Sequence, residues 1–200
     1  MVTAYQEIRG DLNTGDIVLF SGKGGISAGI KWGTLSKWSH VGMILNFPEY
    51  DFVTVWESTN LDNTIDLDTA IPRKGVQLVP LSARVNGYKG DIAVRKLIGV
   101  NQDAMDIGAL MQLRKEIAGR KYEESVIELF KAAYDGPLGR NSEDLSSLFC
   151  SELVAEAYQR LGLLTEVKPS NEYTPADFSE KRALSLEIGT LGGEILIRDE

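Results

Sequence analysis

Short apolar runs crowd the first half of this chain, and helical spacing is confined to the second half. That order constrains the fold more than any other feature. Asp16-Ile-Val-Leu-Phe20, His40-Val-Gly-Met-Ile-Leu45, Phe52-Val-Thr-Val-Trp-Glu57, Gly75-Val-Gln-Leu-Val79 and Asp91-Ile-Ala-Val-Arg95 read as strands, rich in β-branched and aromatic residues. After them, 103–118 carries Ile107, Leu110, Met111 and Ile117 at helical spacing, with Gly119 as its stop. A second helix is expected over 125–133. The clearest is expected over 147–161, where Cys150, Leu153, Val154, Ala157 and Leu161 share one face. Ser146 or Ser147 is the expected N-cap of that helix, and Gly162 its end. Residues 184–198 read as two short strands around glycines. A strand block followed by a helical block is an α+β pattern, not an alternating one. Two segments stand apart. Residues 21–33 hold five glycines, and the polar stretch 58–74 is long enough to be a lid or substrate loop.

Length and composition narrow the classes. A chain of 200 residues is expected to form a single domain, here 1–200 with its core over about 11–180. With 21 basic and 29 acidic side chains the net charge is −8, which opposes a nucleic-acid partner. One cysteine excludes an intramolecular disulfide framework. One cysteine and one histidine exclude the usual Cys/His zinc sites. No apolar run reaches the roughly 20 residues that span a bilayer, so any membrane contact is expected to be peripheral. The first ten residues lack a basic and apolar leader pattern, which together with the free thiol suggests a cytoplasmic protein. Ser21-Gly-Lys-Gly-Gly-Ile-Ser-Ala-Gly29 follows a strand but misses the phosphate-loop pattern, because Gly24 follows Lys23 where Ser or Thr is needed. The acidic group Asp62, Asp66 and Asp68 misses the calcium-loop spacing and reads as a solvated loop. No cofactor and no metal site are expected.

The scarce reactive residues fall at the ends of expected elements. Cys150 lies in the first turn of its expected helix, where the dipole favours a thiolate and unpaired N–H groups suit an oxyanion. Read from this helix alone, a buried inert thiol is the simpler account. His40, the only histidine, opens a strand and has the proton affinity of a general base at neutral pH. Glu57 ends the next strand and can orient the imidazole if the two strands pair. Each residue alone also has a plain structural explanation, a core thiol, a surface imidazole and a solvent-facing carboxylate. Together they have the composition of a Cys–His–carboxylate triad, in the order His, Glu, Cys.

Asn13-Thr-Gly-Asp-Ile-Val-Leu-Phe20, Trp38-Ser-His-Val-Gly-Met-Ile44 and Phe149-Cys-Ser-Glu-Leu-Val154 resemble the motifs of the circularly permuted NlpC-type papain-like hydrolases, a group to which lecithin:retinol acyltransferase is distantly related. Gly119-Arg-Lys-Tyr-Glu123 and Tyr173-Thr-Pro-Ala-Asp177 are similar to two further segments of that family, with Glu123 where aspartate is usual. Phe149 stands where the family has tyrosine, which leaves the oxyanion to backbone N–H groups, that of Cys150 among them. The resemblance covers most of residues 11–180. It implies a permuted papain-like fold, an antiparallel sheet or small barrel packed on helices. It also implies Cys150 as nucleophile, His40 as base and acid, and Glu57 as the orienting residue. Substrate contacts are expected from Lys23, Trp32, Trp38, Ser39 and Tyr122.

The expected activity is a cysteine hydrolase that cleaves an amide bond (peptide, γ-glutamyl or isopeptide) in a small-molecule or peptide-like acyl substrate through a thioester. An acyltransferase or a lipid amide or ester hydrolase would use the same triad. A non-catalytic binding module on this fold is the third reading. The sequence leaves the acyl group and the oligomeric state open.

Overall fold

The computed structural model describes residues 2–22, 36–118 and 142–198, with the backbone alone over 142–149. The helix expected over 125–133 and the stop at Gly119 lie outside the described residues. The elements run β1 (Val2–Ala4), α1 (Tyr5–Ile8), β2 (Ile17–Gly22), β3 (His40–Phe47), β4 (Phe52–Thr59), β5 (Gly75–Pro80), α2 (Leu81–Gly87), β6 (Gly90–Arg95), β7 (Leu97–Ile98), α3 (Ile107–Ile117), α4 (Ser142–Arg160), β8 (Thr190–Leu191) and β9 (Ile195–Arg198). The architecture is α+β. Seven strands form one sheet in the order β1-β9-β6-β2-β3-β4-β5. Every pairing in it is antiparallel except β1 with β9.

The sequence explains the centre of this sheet. Residues 17–21 of β2 are buried without alternation. A strand covered on both faces reads as a continuous apolar run. One face packs against α3 and α4 through Leu19, Val41, Met43, Leu45, Trp56 and Leu78. The other packs Val18, Phe20, Ile44, Val55, Val79 and Val94 against Tyr5 and against Leu81 and Val85 of α2. The tail beyond residue 181, which no motif covers, supplies β9 and joins β6 to β1. Arg95 holds the segment before it, donating to the carbonyls of Phe178, Leu191 and Gly192 at 2.9, 2.8 and 2.6 Å.

Two boundaries differ from expectation. Helix α3 starts at Ile107, not near 103, because Asp106 caps it by accepting from Ala109 N–H at 2.8 Å. Helix α4 starts at Ser142, not at Ser146 or Ser147. At the other end Gly162 takes φ +73, the left-handed conformation of a helix stop.

Three of the resembling segments, 13–20, 149–154 and 173–177, are joined by hydrogen bonds around α4, and the segment 119–123 lies outside the described residues. Gly15 takes φ +96, and Asp16 accepts from Asn13 N–H at 2.9 Å and Leu97 N–H at 2.7 Å. Tyr158 of α4 donates its phenol proton to the Gly15 carbonyl. Ser151 donates to the Tyr173 carbonyl at 2.6 Å, and Thr174 closes a turn on Asp177 at 2.8 Å. Helix α4 is thereby tied both to the start of β2 and to the segment after it. The stretch 58–74 is not a solvated loop throughout. Asp66 is fully buried and accepts from Leu78 N–H at 2.9 Å and from the Thr69 hydroxyl at 2.7 Å. Asp68 pairs with Arg114 of α3. Among the described residues, no helix is long and apolar enough to cross a membrane.

Candidate active site

Three packed elements bring the scarce residues together. His40 opens β3, Glu57 lies near the end of β4, and Cys150 faces them from α4. Strands β3 and β4 pair antiparallel with Met43 opposite Trp56, so Gly42 stands opposite Glu57. A Cβ at Gly42 would come within 2.6 Å of Val55 Cγ2 and 3.2 Å of Glu57 Cβ. The glycine of the Ser-His-Val-Gly motif is therefore the seat on which β4 brings Glu57 to the imidazole.

His40 Nε2 and Glu57 Oε2 are 2.6 Å apart. With Nε2 engaged, Nδ1 is the ring nitrogen left for Cys150, whose side chain hydrogen-bonds the imidazole. The ring packs at 5.3 Å against Phe20, its pairing partner on β2, and Phe20 is backed edge-on by Tyr88 at 5.0 Å. Burial alone would lower the His40 pKa. The negative charge and hydrogen bond of Cys150, followed by those of Glu57, outweigh it and push it up to about 10. Tyr88 is held up to about 12, by burial first and then by the charges of Glu57, Cys150 and Asp91, with Arg84 opposing them. Its phenol stays neutral beside the site.

Glu57 is fully buried, which by itself would raise its pKa. The guanidinium of Arg84 and the hydrogen bond from His40 reverse that and hold the carboxyl below its usual range. Arg84, on α2, reaches Glu57 Oε1 with Nε at 2.7 Å and Nη2 at 2.6 Å. It also donates to Asn63 Oδ1 at 3.0 Å and Gln77 Oε1 at 3.3 Å. The sequence reading missed this residue. Its signal was an arginine at i+3 from Leu81 and beside Val85, on the buried side of a seven-residue helix too short to announce itself by periodicity.

Other expected features fall differently. Cys150 stands about two turns inside α4, not in its first turn. Helical residues from 142 onward precede Cys150, so neither the unpaired N–H groups of a helix start nor its dipole end lies at the thiol. Trp38 is buried and its indole N–H donates to Glu194 Oε1 at 2.7 Å. With Lys37, Ser179, Glu180, Lys181 and Glu194 it lines a cavity of about 490 Å³. Ser39 is buried and donates to the Phe20 carbonyl at 3.4 Å, a link between β2 and β3. Lys23, Trp32 and Tyr122 lie outside the described residues.

No family model and no curated protein matches the chain. Among solved structures, the metalloprotein yiiX from Escherichia coli O157:H7 is similar over 94% of this chain and 98% of its own, with a TM-score of 0.50 and 19% identity. At that identity the likeness concerns the fold, and function rests on the site itself. Among the described residues no group of three or more His, Cys, Asp or Glu side chains is placed to hold a metal ion. Glu57 has one oxygen engaged by His40 and the other by Arg84, so these residues do not fit a metal centre.

Proposed function

We propose that this chain is a cysteine hydrolase of the permuted papain-like type, cleaving an amide bond of a peptide-like acyl substrate. The observation that carries this reading is the continuous row Cys150–His40–Glu57, built from the chain's single cysteine and single histidine. Chance burial of a thiol does not require the one imidazole beside it, nor a buried carboxylate behind that imidazole.

His40 takes the proton of Cys150 and holds it as imidazolium, with Glu57 accepting from Nε2–H. The thiolate attacks the acyl carbonyl, and the imidazolium returns the proton to the leaving amine. Acylation removes the thiolate charge, the strongest factor raising the His40 pKa. The imidazole then drops towards neutrality at the stage when a water must be deprotonated to release the thioester. Cys150 lies well inside α4, so the helix start supplies no oxyanion donors at the thiol.

The complete burial of Cys150 favours a second reading, a binding scaffold whose thiol is part of the core. Against it stands the polar row behind the thiol, in which His40 keeps 15% of its side chain exposed. Incubation with p-nitrophenyl acetate and intact-mass analysis separate the two readings. A hydrolase gives a burst of p-nitrophenolate and one acetyl group on Cys150, both lost in His40→Ala. Acetylation of Cys150 no faster in wild type than in His40→Ala overturns the hydrolase.

A further inference from the structure

We infer that Arg84 is a positioning residue, whose fork on Glu57 Oε1 keeps that carboxylate an acceptor through the whole reaction and so fixes which nitrogen of His40 faces Cys150. The inference rests on the hydrolase reading of the same site and adds to it the device that controls the histidine tautomer.

The geometry divides Glu57 between two cations, one on each oxygen. Oε2 meets His40 Nε2 at 2.6 Å and Oε1 meets Arg84 Nε at 2.7 Å. While His40 is an imidazolium, both oxygens face positive charge. Once His40 has given its proton to the leaving group, Arg84 is, among the described residues, the one cation still touching Glu57. An isolated buried carboxylate takes up a proton instead of staying charged. A protonated Glu57 would donate to Nε2 and leave the imidazole's own proton on Nδ1, facing the sulfur. Nδ1 could then accept no proton from Cys150 or from water. With Arg84 in place Glu57 stays ionised, Nε2 keeps the proton, and the Nδ1 lone pair faces the reacting atoms.

The surroundings favour this arrangement. Arg84 is almost fully buried at 2% exposure, so its charge is little screened. Gln77 on β5 and Asn63 in the 58–74 stretch orient the guanidinium. Among the described residues, the Tyr88 phenol also senses Glu57, together with Cys150 and Asp91 of β6. Burial, helped by Glu57 and Cys150, holds Tyr88 neutral, so it adds no charge. Arg84 is thus the permanent positive charge on this carboxylate.

The test uses Cys150→Ala, which removes the thiolate as acylation does, and reads the ring nitrogens of the only histidine by long-range ¹H–¹⁵N spectra. With Arg84 present, neutral His40 is expected as the Nε2–H form. Arg84→Met is expected to shift it to the Nδ1–H form or a mixture, and Arg84→Lys, which keeps the charge, is expected to restore Nε2–H. In proteins that retain Cys150, p-nitrophenyl acetate turnover should fall 100-fold or more with Arg84→Met, since a wrong tautomer in a comparable triad costs on the order of 10⁴ in rate. An unchanged tautomer in folded Arg84→Met overturns the inference. If Arg84→Met does not fold, the ¹³C signal of the Glu57 carboxyl in Cys150→Ala decides. Ionised Glu57 while His40 is neutral supports the role, and proton uptake by Glu57 as His40 loses its own overturns it. A wild-type Cys150 that is never acetylated would instead defeat the hydrolase reading, whatever the tautomer result.

Discussion

Replacing Gly42 with alanine probes how the site is built, because the strand pairing and the triad meet at this position. The new Cβ would stand 2.6 Å from Val55 Cγ2 and 3.2 Å from both Glu57 Cβ and the Trp56 carbonyl oxygen. Carbon atoms prefer about 3.5–4.0 Å, so Val55 must retreat by roughly 1 Å. Val55 is fully buried between β3 and β5 and has little room to do so. Overpacking of this kind costs about 1–3 kcal/mol. For a domain of this size each kcal/mol lowers Tm by about 2–4 °C, which gives a fall of about 2–12 °C. The same displacement carries Glu57 away from the imidazole and stretches the 2.6 Å contact, so p-nitrophenyl acetate turnover should fall as well. Differential scanning calorimetry and the burst assay read the two effects. A Tm within 1 °C of wild type together with full activity would refute Gly42 as the seat of Glu57.

Other perturbations have defined outcomes. Glu57→Gln leaves the buried Arg84 without its anion, and breaking such a pair costs about 3–5 kcal/mol, readable by urea unfolding. Cys150→Ala should lower the His40 pKa from about 10, because the Cys150 charge is the strongest factor raising it, and NMR titration of the single histidine measures this. That shift also sets a pH trend. A histidine whose pKa is raised on folding contributes stability in full below its unfolded value of about 6.5. The contribution is lost as pH rises towards about 10, so thermal melts of wild type should lose more Tm over this window than those of His40→Ala. Arg95→Met strands three carbonyls of the 178–192 segment and should cost about 3 kcal/mol or more, with early proteolysis of the tail as the readout.

The sequence carried the strands well, because each is a short apolar or alternating run closed by turn residues. β2 to β6 lie within two residues of where the pattern places them. The extent of α4 was not legible, since Ser146 and Ser147 offer good caps and nothing local signals that the helix already runs from Ser142. That error carried the oxyanion expectation with it, because the assumed first turn at Cys150 lies two turns inside the helix. Of the site, His40 and Cys150 were legible through scarcity, each being the only residue of its type. Glu57 was one of 29 acidic residues, chosen by its place at a strand end next to the histidine strand. Arg84 and Asn63 were invisible, because Arg84 reaches Glu57, and Asn63 reaches Arg84, through tertiary packing that no local pattern encodes. Ser39 and Trp38 flank His40 in sequence, yet their hydrogen bonds go to the Phe20 carbonyl and Glu194.

The proposed chemistry stands or falls with Cys150 and His40 acting as one activated pair. Iodoacetamide alkylation of the single cysteine across pH, in wild type and His40→Ala with intact-mass readout, tests it most directly. The account predicts rapid labelling of wild-type Cys150 and its loss in His40→Ala, because the imidazole that hydrogen-bonds the sulfur takes its proton. Slow labelling in both proteins, rising together near the ordinary thiol value of about 8.5, would contradict it and leave Cys150 as part of the core.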